Sequence, residues 1–123
     1  MKGSDTMETV RYEGFRDRGA ARVVVHRLDE KGKIKVEELD KRLDLRNHSP
    51  TGFEWGYGGS GPSQLALAIL ADLTDDETAM RHYQFFKQGV ISRLDQDRTW
   101  ILAASVIRAR IDKQEEWMRS QAR

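Results

Sequence analysis

The chain has no cysteine and only two prolines in 123 residues. A disulfide framework and a cysteine-ligated zinc site are therefore excluded. No apolar run approaches the roughly 18 residues that a membrane span needs. The N-terminal MKGSDTMETV lacks the apolar core of a signal peptide, so a cytoplasmic location is expected. Charge of one sign is also missing: the net charge is +1. That balance gives no general attraction to a membrane or to nucleic acid, so strong nucleic-acid binding is not expected. Histidines stand only at positions 26, 48 and 82, none at metal-ligand spacing from another, and no metal or cofactor is expected. There is no GxSxG elbow, since Gly59-Ser60-Gly61 lacks its strand–turn–helix setting. A catalytic constellation is not legible, and the expectation is a protein that is not an enzyme.

The chain does carry two kinds of hydrophobic pattern. Its length suits one domain. Thr9 to Arg16 and Ala21 to Leu28 are short runs rich in β-branched and aromatic residues, parted by the turn signal Asp17-Arg18-Gly19. Ile34 to Glu37 alternates with period two, and Leu43 and Leu45 suggest a last extended piece. From Pro62, placed at a first helical position, the pattern turns helical. Ser63 to Leu73 is apolar nearly all round and reads as a buried helix. Asp75 and Asp76 suit the cap of a second helix, with Tyr83, Phe86, Val90 and Leu94 on one face. Thr99 can cap a third, with Trp100, Ala103, Ile107 and Ile111 as its stripe. The expected fold is α+β: a small N-terminal antiparallel sheet followed by three C-terminal helices packed on it. The divisions are a flexible terminus (1–8), the sheet (9–46), a glycine-rich loop (47–61), the helices (62–112) and a polar helical tail (113–123).

The loop is the most unusual stretch. NHSPTGFEWGYGGSGPSQ, residues 47–64, holds five glycines and three aromatics. It opens into a helix, whose N-terminal N–H groups can face an anion, and glycine lets a phosphate approach closely. Phe53, Trp55 and Tyr57 alternate and can share a face. The plainer reading is a tight sheet-to-helix junction whose aromatics pack on the next helix. Arginines are the second class of candidate. Arg46 precedes the loop, and Arg81, Arg93, Arg98, Arg108 and Arg110 decorate the helices; Arg108 lies off the last apolar stripe and Arg110 has its stem at the core edge, where a guanidinium can grip phosphate in bidentate fashion. Phe85 falls off its helix's apolar face, which suggests a subunit contact or a stacking surface. Trp117 and Met118 raise the same question in the tail.

Three stretches, LDLRNHSPTGFEWGYGGSGPSQLALAILAD, YQFFKQGVISRL and WILAASVIRARI, resemble a small family of uncharacterised bacterial and phage domains. The likeness covers about Leu43 to Ile111. That family is in turn similar to the phage proteins called Thoeris anti-defence protein one. These are sponges that bind the immune signal glycocyclic ADP-ribose without cleaving it, and relatives also hold cyclic oligonucleotides of the CBASS system. The resemblance implies a homo-oligomer, dimer or hexamer, working in the cytoplasm of an infected bacterial host. It implies phosphate binding by Arg108 and Arg110 and base stacking by Phe85 or Phe86. It also implies contacts to base or sugar from Asp95, Gln96 or Asp97. Arg46, Tyr57, Gly59, Ser60 and Gly61 would form a second phosphate site. Two alternatives remain: a nucleotide-processing enzyme, using His48, Asp44 and Glu54, and a protein or nucleic-acid interaction module.

Overall fold

The computed structural model describes residues 9–122; the expected flexible terminus at 1–8 lies outside them. The strands are β1 (Val10–Asp17), β2 (Ala20–Leu28), β3 (Ile34–Glu38) and β4 (Trp100–Ala103). The helices are α1 (Ser60–Leu73), α2 (Asp76–Gly89) and α3 (Ala104–Gln121), with a short 3-10 turn at Ile91–Arg93. The sheet order is β3-β2-β1-β4, and every neighbouring pair is antiparallel. An N-terminal sheet followed by three helices is the expected α+β arrangement.

The β1–β2 hairpin closes with Asp17 opposite Ala20. Its two turn residues, Arg18 and Gly19, have φ of 54° and 87°, the left-handed pair that a two-residue hairpin demands. Tyr12, Val23 and Val25 point inward and join one core with α1, Trp55 and Ile107. Gly61 to Ala71 of α1 is buried without interruption, as its all-round apolar pattern requires. The Asp75 carboxylate accepts the Thr78 N–H at 2.8 Å and caps α2. That bond holds the Asp75 carboxyl below the usual range.

Three expectations are corrected. Trp100 to Ala103 is a strand, not the first turn of the last helix, and pairs with β1. The reason lies across the sheet: Gly14 is opposite Trp100, and a Cβ on Gly14 would stand 2.2 Å from the indole. A missing side chain on β1 makes the place where β4's tryptophan lies, edge-on to Trp55 at 5.4 Å between ring centroids. Helix α1 begins at Ser60 rather than Pro62; proline is tolerated in a first turn because its missing N–H has no helical acceptor there. Leu43 and Leu45 lie in a turn closed by Leu45 N–H to Arg42 C=O at 3.1 Å, not in a strand. The tail expected to be helical is the continuation of α3 as far as Gln121.

Candidate functional site

The glycine-rich segment is tied down by one buried side chain. Gln64, fully buried in α1, accepts the N–H groups of His48 and Ser49 at 2.7 and 3.0 Å. Its amide nitrogen donates to the carbonyls of Lys41 and Arg46 at 2.7 and 3.0 Å. Four backbone groups of a loop thus find partners that no ladder supplies. Phe53 and Trp55 enter the core, whereas Tyr57 is exposed, so the three aromatics do not share a face. Gly56 has φ of 89°, and a Cβ there would lie 2.8 Å from that of Gln96. The loop at 94–96 therefore closes directly on the glycine backbone. Arg16 locks the contact: it donates to the Gln96 carbonyl at 2.7 Å and to Glu54 at 3.0 Å, and stacks on Trp55 at 4.2 Å.

The residues expected to bind a ligand fall in separate places. Tyr57, Gln96 and Asp97 line a groove with Arg16 and Glu54. Asp95 turns inward on its own loop, accepting the Asp97 N–H at 2.9 Å. Ser60 and Gly61 border another groove that Tyr57 and Glu54 share. A Cβ on Gly61 would lie 2.7 Å from that of Glu54, and one on Gly59 would strike the Tyr57 ring. The start of α1 is therefore faced by an acidic side chain. Arg46 does not line that groove; it lies near enough to His48 to contribute, after burial, to holding that imidazole below its usual basicity. His48 Nε2 lies 2.8 Å from the Tyr83 hydroxyl. Asp44 pairs with Arg42 and Glu54 with Arg16, so His48, Asp44 and Glu54 do not converge. Arg108 is used inside the fold, its Nη2 donating to the Leu73 carbonyl at the end of α1 at 3.0 Å.

Phe85, Phe86 and Arg110 do come together. They line a cleft of about 220 Å³ between α2 and α3, with His82, Gln88, Gly89, Arg93, Ile111 and Gln114. Phe86 is buried in the core and gives the cleft only its floor, whereas Phe85 is 45% exposed. Arg93 uses Nε on the Gln88 carbonyl at 3.2 Å. Arg110 lies across the end of α2, where a Cβ on Gly89 would meet its Nη2 at 2.1 Å. A cation suits that end of a helix. Neither arginine forms an ion pair among the described residues, although Arg16, Arg22, Arg27, Arg42 and Arg81 all do.

His82 forms the inner wall and is 2% exposed. Its Nε2 is 2.5 Å from Glu115 Oε2, a contact that joins α2 to α3. That hydrogen bond, and then Arg81, keep the Glu115 carboxyl below its ordinary range. With Nε2 engaged, the opposite nitrogen Nδ1 is buried without a partner among the described residues. His82, Gln88 and Gln114 were not singled out by sequence, and Arg93 was only one of several arginines on the helices. The available signal was spacing: His82 lies three residues before Phe85, on the same side of a helix.

Among the described residues no group of three or more histidine, cysteine, aspartate or glutamate side chains could hold a metal ion. No helix there is long and apolar enough to cross a membrane. No curated protein and no solved structure matches the chain. Residues 12–113 match the model of a family of unknown function, DUF6166, and the chain belongs to that family.

Proposed function

We propose that this DUF6166 member binds an anionic, aromatic ligand of the nucleotide class and holds it without chemical change. One observation carries the reading: Arg93 and Arg110, neither with a carboxylate partner among the described residues, line a single cleft with the half-exposed ring of Phe85. A base stacks on an aromatic face, and a guanidinium gives phosphate two parallel N–H donors. At about 220 Å³ the cleft is smaller than the roughly 300–1,000 Å³ usual for whole ligands. It takes one base with its neighbouring phosphate.

The finer reading follows the resemblance to the Thoeris anti-defence sponges. The ligand would be glycocyclic ADP-ribose, or a cyclic di- or trinucleotide of CBASS, sequestered in the infected cell by a homo-oligomer. A sponge needs donors and a stacking face but no general base. The test is to incubate the purified chain with each nucleotide, remove what stays free, denature the protein by heat and identify what is released. Depletion with intact recovery supports the reading. No depletion of any nucleotide contradicts binding, and recovery of fragments contradicts its non-catalytic part.

A further inference from the structure

The free edge of β3 is a surface the cleft does not use. All five residues of β3 are exposed on both sides, so the strand overhangs the core. Its register against β2 decides which backbone groups are free. Asp29 N–H bonds Lys33 C=O and Leu39 N–H bonds Val23 C=O, so the odd-numbered residues face β2. The N–H and C=O groups of Ile34, Val36 and Glu38 therefore point to the open edge, and none is hydrogen-bonded to another element among the described residues. Monomeric proteins blunt such edges with proline, a bulge, short length or charged side chains; β3 is short and charged, but its charges are of both signs and so can also pair. β3 has no proline, its pairing with β2 is unbroken, and Lys35 is followed two residues later by Glu37.

We propose that β3 pairs with β3 of a second copy, antiparallel and centred on Val36, to make one continuous eight-stranded sheet. In that register Val36 faces Val36, and Ile34 faces Glu38 of the second copy. Both are pairs in which the outward backbone groups meet, so the free N–H and C=O groups of all three residues are used. Lys35 then faces Glu37 of the second copy, twice by symmetry. Those are the non-hydrogen-bonded positions, where Cα atoms approach to about 4.5 Å and side chains couple best. The charges are thus self-complementary about the twofold axis, as an isologous contact requires, each Glu37 also keeping Arg27 of its own chain at 3.2 Å. Val36, 52% exposed, meets its counterpart on the axis, and Ile34, 57% exposed, lies diagonally from Val36 of the second copy, so these side chains cover one another. β4, the other edge, is four residues long and carries no charge, so nothing there sets such a register.

Sedimentation of the full chain over a concentration series tests the pairing, and a monomer–dimer equilibrium is expected. Val36→Pro removes an N–H that faces the free edge, not β2, so it leaves the hairpin in place and yields a monomer with an unchanged circular dichroism spectrum. Lys35→Glu and Glu37→Lys each put like charges opposite one another and raise the dimer Kd about tenfold. The double swap Lys35→Glu with Glu37→Lys restores it in part, since it also costs each chain the Arg27–Glu37 pair. Should Val36→Pro fail to fold, the charge-swap series decides alone. A wild-type chain that stays monomeric throughout overturns the proposal. So does a dimer that the swaps leave unchanged, or one that the double swap weakens as much as Glu37→Lys alone.

Discussion

The glycine-rich segment and the α2–α3 cleft differ in a way their sequences do not advertise. The segment is conspicuous, yet its polar groups are turned inward. Gln64 satisfies four backbone groups, Arg16 bridges it to the Gln96 carbonyl, and Glu54 covers the start of α1. The cleft is ordinary in sequence, but Arg110 and Arg93 form no ion pair among the described residues although both line it, and His82 Nδ1 beside them is buried without a partner there, as Trp55 Nε1 is in the segment. An unusual sequence here marks a hard folding problem that has been solved. Unspent polar capacity beside an exposed ring marks the place where a ligand would complete the set.

Substitutions can sharpen that contrast. The largest effect is expected from Gln64→Ala, which strands four buried or half-buried backbone groups. At about 1–3 kcal/mol for an unsatisfied group, partly relieved by water, the loss is roughly 3 kcal/mol or more, measured by urea unfolding. Gly56→Ala follows. It combines a left-handed φ with a clash against residues 94–96 and should cost about 2 kcal/mol, seen as a lower Tm. Arg110→Ala and Phe85→Ala fall on the other side, changing stability by no more than about 0.5 kcal/mol. If either cleft variant destabilised the chain as much as Gln64→Ala, the division between a folding region and a binding region would fail.

The smallest effect concerns pH. Burial, then Arg46 and Lys87, lower the His48 pKa, so below about pH 6.5 the unfolded chain takes up a proton that the folded chain resists. The stability this contributes is present above that pH and is lost as pH falls toward the folded value. The Tm should therefore drop on mild acidification, and drop less in His48→Asn. An equal drop in both would remove His48 as the cause.

Much of the fold was legible because local and long-range preferences agree. Arg18-Gly19 asks for a tight turn and gets one. SQLALAILADL is apolar all round and is buried. Asp75 caps the helix that follows it. β4 was not legible, because WILAASVIRARI satisfies helical spacing throughout; its first four residues become a strand only because Gly14, 86 positions earlier, leaves room for Trp100. The cleft was half legible. Phe85 stands out by leaving its helix's apolar face, and Arg110 by its place at the stripe's edge. Arg93 and His82 do not stand out, since only the packing of α3 against α2 shows which side chains end without partners. The resemblance treats Arg108 and Arg110 alike, and only the fold shows Arg108 holding the Leu73 carbonyl.

The central claim is that the cleft's unmatched arginines bind a nucleotide-class ligand. Calorimetric titration of wild-type, Arg110→Ala and Gly89→Ala chains with glycocyclic ADP-ribose and with cyclic di- and trinucleotides tests it most directly. At least one nucleotide should bind the wild type. Arg110→Ala should weaken that binding at least about tenfold at unchanged Tm. Gly89→Ala should weaken it too, because the new methyl displaces the guanidinium without removing it. A wild type that binds none of these nucleotides, or an Arg110→Ala chain that binds as tightly as wild type, would contradict the account.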